Sequence, residues 1–375
     1  MKIIKHIARI IVGLTFIFSG FVKGIDPWGS AYKFIDYFVA MGFDWFNWAA
    51  FPLGVMLAFL EFAIGVGLLF NLYLRLSSWL AFIFMVFFTF LTLWIAVYNP
   101  VSDCGCFGDA LVISNWQTFY KNIVLIILTW IVFFYRNNMP RILPVNVARI
   151  AGAAVVAMYV GAAVYSYNHL PLFDFRPYKT GVNIPEAMSI PEGAPQPQYE
   201  NIFYYKNKNS GNIERFTEEN YPWEDTINWE FNNLESVLLD KGYEPPIHDF
   251  TIESPEGDNI IDFFIYDEEY VFMLIAYDLK KSNTKYQEKI NHLAEWAMDQ
   301  DYAFICLTSS LTDDSEKFAE QHQIPYEFFN CDEITLKTMI RSNPGLMVIK
   351  NGTIVAKYHY NDIPTPEEFQ KNINK

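Results

Sequence analysis

Five apolar stretches, each close to the length that crosses hydrocarbon, constrain this 375-residue chain more than anything else in it. They run from about Ile7 to Val22, Ala50 to Phe70, Leu76 to Val97, Thr118 to Phe134 and Ile150 to Tyr165. Runs of about 20 apolar residues match a hydrocarbon core about 30 Å thick, and a chain with several of them folds as a helical bundle in lipid. Lys2, Lys5 and Arg9 around the start of the first run fit a cleaved signal peptide or a retained span. No small-x-small cleavage pattern follows, and further spans do, so the run is read as retained. The fifth run is rich in Ala and Gly, which suit close helix packing.

Between the first two runs, Gly24 to Trp48 mixes Asp-Pro and Gly with Trp28, Tyr32, Tyr37, Phe38, Trp45 and Trp48. Aromatic rings of this kind sit at headgroup level, so a surface or re-entrant helix is expected. If the spans alternate, Lys2, Lys5, Arg9, Arg75, Arg136, Arg141 and Arg149 fall on one side, against Lys23, Lys33 and Lys121 on the other. Basic flanks are retained on the cytoplasmic side, which puts the N-terminus inside and everything after about Ser166 outside. In a bacterium that places the chain in the inner membrane with a periplasmic C-terminal part, where disulfides persist.

The second half lives in a different solvent. Residues 1–150 hold ten lysines and arginines against six carboxylates, the remainder 17 against 36, and the whole chain stands at −15. An acidic soluble half argues against nucleic acid as a partner. Pro171 to Pro197 reads as a linker. Glu200 to Arg215 reads as a hairpin around Lys208-Asn209-Ser210-Gly211, and Trp223 to Gly242 as partly helical. Beyond Ile247, strand candidates at Ile260–Tyr266, Val271–Tyr277, Ala303–Thr308, Tyr326–Phe329, Leu346–Lys350 and Ile354–Tyr360 alternate with helix candidates. The helix candidates are Thr284–Met298, Ser315–His322 and Leu336–Arg341. Strand and helix in turn predict an α/β sandwich with parallel crossovers. The domain boundaries expected are 1–140, 141–170 for the fifth span, 171–245 for the linker and hairpin, and 246–375.

The chemistry concentrates in Asn99-Pro100-Val101-Ser102-Asp103-Cys104-Gly105-Cys106-Phe107-Gly108-Asp109, a polar hinge holding two of the four cysteines. A Cys-Gly-Cys bridge closes a very small ring, for which the glycine supplies unusual backbone angles. Departure from relaxed geometry stores strain, and strained bridges are more oxidising and exchange readily. The pair suits taking electrons from a substrate thiol or passing them to an acceptor in the membrane; a plain structural clip is the competing reading. Two cysteines leave a tetrahedral zinc site half filled, with no histidine nearby in sequence, so no metal is expected.

Several other residues carry two readings each. Glu61 lies mid-span, where a charge is costly. It either relays protons for a quinone or, as a neutral acid, hydrogen-bonds a neighbouring helix. Lys23 either lowers a thiol pKa or snorkels to the interface, and the anchor is the expectation. Asp103 and Asp109 are expected to keep the loop solvated and turned. Cys306 is read as inert core and Cys331 is left open. The six histidines show no ligand spacing.

Two resemblances add to this. Phe18-Ser19-Gly20-Phe21-Val22-Lys23 with Asp26-Pro27, Glu61 followed by Gly65 and Gly67, and the Cys-Gly-Cys hinge leading into Trp116-Gln117-Thr118-Phe119 resemble the DoxX-like four-helix membrane proteins, in the branch related to MauE. This resemblance covers residues 1–140 and implies a quinone-linked or disulfide-linked membrane redox role. Ile247 to Asn372 resembles a thioredoxin-like domain, on Arg341-Ser342-Asn343-Pro344-Gly345 before Leu346-Met347-Val348, where that fold places a cis-proline. Where such enzymes carry Trp-Cys-x-x-Cys, this chain has Ala276-Tyr277-Asp278-Leu279, so the domain is expected to bind polypeptide beside Tyr277, Asn343 and Pro344 rather than exchange electrons.

The expected architecture is a four-helix bundle plus one anchor helix, followed by a periplasmic α/β thioredoxin-like domain. The expected function is thiol–disulfide exchange through Cys104 and Cys106, with Glu61 beside a membrane quinone and a periplasmic thiol protein as partner. The alternative is a non-enzymatic adaptor in an envelope complex.

Overall fold

The computed structural model describes residues 2–139, 143–240 and 242–373. Arg141, counted above among the basic flanks, lies outside them. Among the described residues the chain opens with the α-helices α1 (Lys2–Ile25), α2 (Pro27–Ala40), α3 (Ala50–Leu69), α4 (Leu74–Tyr98), α5 (Asn115–Tyr135) and α6 (Val145–Asn168). Among the described residues, the segments long and apolar enough to cross a membrane are Ile3–Ile25, Asp44–Leu69, Leu74–Tyr98, Asn115–Asn138 and Val145–Asn168. Each coincides with one of the apolar runs, and together they imply a lipid environment.

Helices α1 and α3 approach closely because small residues face each other there. A Cβ on Gly20 would lie 2.4 Å from the backbone N of Phe62, and one on Gly65 2.5 Å from that of Ile17. Between these helices the aromatic-rich segment forms α2, whose 14 residues span only about 20 Å. Asp26 caps α2, its carboxylate accepting from Gly29 N at 2.9 Å, and Pro27 supplies the first turn.

Residues 182–250 form a compact unit of their own. A short helix, α7 (Ile184–Met188), interrupts the stretch read as an unstructured linker; Asn183 caps it and Pro185 starts it. The strands β1 (Gln198–Asn207), β2 (Ile213–Phe216) and β3 (Trp229–Asp240) then form an antiparallel sheet in the order β2-β1-β3. The hairpin is where it was expected. The helical reading of Trp223 to Gly242 is corrected: β3 pairs along the whole of β1, with Phe231 opposite Tyr205 and Leu234 opposite Phe203. Cross-strand pairing of aromatic and aliphatic side chains overrides the weak local helix signal there.

The C-terminal α/β part packs with the helical bundle as one unit. It begins with α8 (Ile261–Ile265), where a strand was expected. Ile261, Phe264 and Ile265 are buried while Phe263 is exposed, a helical face that a run of five mostly apolar residues does not reveal by periodicity. There follow β4 (Tyr270–Ile275), α9 (Gln287–Asp299), β5 (Ala303–Thr308), α10 (Thr312–His322), β6 (Glu327–Asn330), α11 (Glu333–Met339), β7 (Gly345–Lys350), β8 (Thr353–His359) and α12 (Pro366–Ile373). Among the described residues these strands form one mixed sheet in the order β6-β5-β4-β7-β8. The pairs β4–β5 and β5–β6 are parallel, as the alternating pattern predicted; β7 and β8 add antiparallel. Phe272, Leu274, Leu346 and Val348 share a core with Leu293 and Ala294 of α9 and Phe369 of α12. The Asn343–Pro344 peptide, just before β7, is cis.

Candidate functional site

The Cys-Gly-Cys loop joins α4 to α5, and local chemistry shapes each part of it. Asn99, with φ +48°, ends α4. Asn115 ties the two ends together, its Nδ2 donating to Asn99 Oδ1 at 2.7 Å and to the Val101 carbonyl at 2.9 Å. Asp103 Oδ1 accepts from Gly105 N at 2.7 Å, turning the chain at the first cysteine. Gly105 has φ +65°, and a Cβ there would press within 2.9 Å of the Lys33 stem, so both conformation and space call for glycine. Ser114 and Gln117 form a capping box that starts α5.

Three side chains of α1 and α2 hold this loop. Tyr37 Oη donates to the Cys104 carbonyl at 2.9 Å, Ser19 Oγ lies 2.6 Å from the Cys106 carbonyl, and Lys33 Nζ pairs with Asp103 at 2.7 Å. Both cysteines are free thiols with their Sγ atoms 2.9 Å apart. Cys104 is buried and Cys106 half-buried. The hydrogen bond from Cys104, helped by the positive charges of Lys121 and Lys23 and opposed by burial, brings the Cys106 thiol down to about 6. The same bond and burial push Cys104 well up. These opposite shifts favour Cys106 as the thiolate of the pair.

Cys104 and Cys106 both line a cavity of about 640 Å³ within the bundle, walled mainly by apolar side chains such as Phe16, Leu57, Phe84 and Phe88. Its polar groups are few: Ser19, Lys23, Lys33, Glu61, Lys121 and Asn122 stand among them. Glu61 and Lys23 meet there, with Nζ 2.8 Å from Oε1 and 2.9 Å from Oε2. The Lys23 side chain is 9 % exposed, which corrects the expectation of a snorkelling anchor. A buried carboxylate on the next helix is a better partner than a distant interface. Glu61 likewise takes the geometry of an ion pair across α1 and α3. Ser19 Oγ bridges this pair to the loop, 2.8 Å from Glu61 Oε2 and 2.6 Å from the Cys106 carbonyl. Its single proton can serve either acceptor but not both at once.

The flanking carboxylates do more than keep the loop wet. Asp103 is turned and paired, as described. Asp109 Oδ2 accepts from Arg341 Nη2 at 3.0 Å, and Asp26 Oδ2 accepts from Arg341 Nε at 2.8 Å. Arg341 belongs to the α/β part, so the face expected to receive a polypeptide lies against the bundle. Tyr277 Oη is 3.3 Å from Tyr32 Oη of α2, while Asn343 Nδ2 donates to the Asp278 carbonyl at 2.8 Å, beside cis Pro344.

Cys306 and Cys331 sit apart from this site. Cys306 is buried in β5 and Cys331 follows β6; burial raises both thiols, the second to about 12. No cluster of three or more His, Cys, Asp or Glu side chains among the described residues is arranged to hold a metal ion.

Sequence reading picked out Cys104, Cys106, Glu61 and Lys23, and the structure brings them to one cavity. It missed Tyr37 and Arg341 as neighbours of the loop. Tyr37 stood among many interfacial aromatics, and Arg341 is 232 residues from Asp109 and 315 from Asp26, so no local pattern pointed to either.

Residues 1–135 match the family model described as methylamine utilisation protein MauE. Residues 199–241, which cover nearly all of the β1–β3 sheet, match a domain of unknown function, DUF8463. No curated protein and no solved structure matches the chain.

Proposed function

We propose that Cys104 and Cys106 are the exchanging pair of a quinone-linked thiol–disulfide oxidoreductase in a bacterial inner membrane, with the N-terminus cytoplasmic and the loop and α/β part on the periplasmic side. The observation that carries this reading is that Cys104 and Cys106 line an apolar cavity in the bundle, beside a buried Lys23–Glu61 pair. The match of residues 1–135 to the MauE family supports a membrane accessory role of this kind.

The cavity fits a quinone. Its volume lies within the usual range for organic ligands, its walls are mainly apolar, and its few polar groups suit a ring bearing two oxygens. When bound, the quinone supplies a sink for two electrons and two protons. The chain's own residues do the rest. In the oxidised form a substrate thiolate attacks one cysteine sulfur, breaking the Cys104–Cys106 bond and forming a mixed disulfide. The second substrate thiolate resolves it, leaving the substrate oxidised and both cysteines reduced. In the reduced form the lowered Cys106 and raised Cys104 favour a thiolate at Cys106, with one proton shared on the pair. Ser19, between the Cys106 carbonyl and Glu61, offers a hydroxyl through which a proton passes between the loop and the carboxylate.

The α/β part is read as a thioredoxin-like fold that has exchanged its thiols for a binding role. The β6-β5-β4-β7-β8 order supports this, and on this reading Tyr277 occupies the position of a thiol pair.

The test is a redox titration of the detergent-solubilised protein, reading Cys104 and Cys106 by differential alkylation with and without a short-chain quinone. A reversible couple that becomes oxidised when quinone is added, and that is lost in Cys104→Ser and Cys106→Ser, is expected. A pair locked in one state would overturn the proposal in favour of a non-enzymatic adaptor.

A further inference from the structure

We propose that Arg341 is a positioning residue for the Cys104/Cys106 loop, so that the α/β part sets, within the same chain, how accessible and how reducible the thiol pair is. This rests on the redox reading for its consequence but not for its geometry. The face around Tyr277 and Pro344 then has its partner in cis, namely α2 and the end of the cysteine loop.

Arg341 is 6 % exposed and each of its three guanidinium nitrogens donates a hydrogen bond. Nε goes to Asp26 at 2.8 Å, Nη2 to Asp109 at 3.0 Å and Nη1 to the Lys337 carbonyl, while the guanidinium carbon lies 5.2 Å from the Tyr32 ring centroid. Asp26 caps α2, which carries Lys33 and Tyr37, two of the side chains that grip the loop. Asp109 lies three residues beyond Cys106. One guanidinium thus joins the helix that holds the front of the loop to the residue that closes its back. Take it away, and two carboxylates that converge on one cation are left facing each other without it, which drives Asp109 and the Cys106 end of the loop off α2.

The α/β part is built to hold this side chain still. On its C-terminal side, Ser342 Oγ donates to the Pro344 carbonyl and accepts from Tyr360 N at 3.1 Å. Asn343 bridges to Asp278 through its side chain, and its carbonyl accepts from Asn283 N at 2.9 Å. An arginine fixed on a rigid turn transmits position; one on a flexible loop would not.

The experiment compares the parent protein with Asp109→Asn, Arg341→Gln, the double variant, and Asp109→Glu, all full length in detergent. The readouts are the rate at which a water-soluble maleimide modifies Cys106, followed by mass spectrometry, and the midpoint potential of the pair. Asp109→Asn keeps the Asp26–Arg341 bond and so guards against a variant that merely fails to fold. Each neutralising variant is expected to speed modification about tenfold or more and to shift the potential, as loss of an ion pair anchored on a buried arginine does. The double variant is expected to be no faster than the faster single one, and Asp109→Glu to return to the parent rate. Rates within about twofold of the parent for both single variants, or effects that multiply in the double, overturn the proposal. Alkylation needs no quinone, so a pair that responds to Arg341 yet ignores quinone would leave this inference standing and remove the redox reading.

Discussion

Lys23 Nζ lies 2.8 Å from Glu61 Oε1, both side chains buried between α1 and α3. Taken singly, each charge would be expensive in a span, and each is held by the other.

Removing one partner should therefore cost far more than removing both. Glu61→Gln is expected to lower stability by about 3–5 kcal/mol, because it strands a buried ammonium. Lys23→Met combined with Glu61→Gln should recover most of that loss. Thermal unfolding in detergent, followed by intrinsic fluorescence, measures both. Equal stability of Glu61→Gln and the parent would mean that the pair carries no weight in the bundle.

Cys106 should behave as a thiolate at neutral pH. Its pKa is lowered to about 6, first by the hydrogen bond from Cys104, so the maleimide rate should rise with pH, reach half its maximum near that value, and be flat above neutrality. Cys104→Ala removes the donor, and the midpoint should then move upward toward about 8.5, the ordinary thiol value. A profile unchanged by Cys104→Ala would assign the thiolate to another cause.

The α1–α3 contact predicts opposite outcomes for the same substitution. Gly20→Ala places a methyl 2.4 Å from the Phe62 backbone, and forcing the helices apart is expected to cost about 1–3 kcal/mol. At Gly161, in α6, nothing lies within 4 Å of the added carbon, so Ala there should be neutral or stabilising by up to about 1 kcal/mol. Melting temperatures of the two variants decide it.

His359 supplies a pH dependence with a defined sign. It is buried at the end of β8, and its Nδ1 accepts from Asn361 N at 3.3 Å. Burial lowers its pKa from 6.5 to about 4, although Asp362 opposes the shift. The unfolded chain then binds a proton between those two values that the folded one does not, so stability falls as pH drops from 6.5 toward 4 and its contribution levels off below. The loss is on the order of 2 kcal/mol. His359→Gln should flatten this part of the curve in a melting series from pH 4 to 7.5.

Much of the architecture was legible in the chain itself. The spans read out because lipid demands long apolar runs, and β4, β5 and β7 because a sheet buried on both faces demands continuous Val, Ile and Leu. The errors came where the local signal is weak or shared. Ile261–Ile265 is too short for its period to show, and β3 takes its conformation from β1 rather than from its own propensities. At the site, Cys104, Cys106 and Glu61 announced themselves by being costly or reactive in their setting. Arg341 did not, because an arginine near a turn is ordinary until its carboxylates arrive from far along the chain.

Those distances along the chain also fix a schedule. Asp109 leaves the ribosome 232 residues before Arg341, and at ordinary rates of synthesis that gap lasts on the order of tens of seconds. For most of it, once α5 is made, the hairpin of α4 and α5 displays Cys104 and Cys106 with no arginine yet made to close the loop. Each newly made molecule thus passes once through an interval in which its thiol pair is open to whatever oxidant or foldase first reaches it.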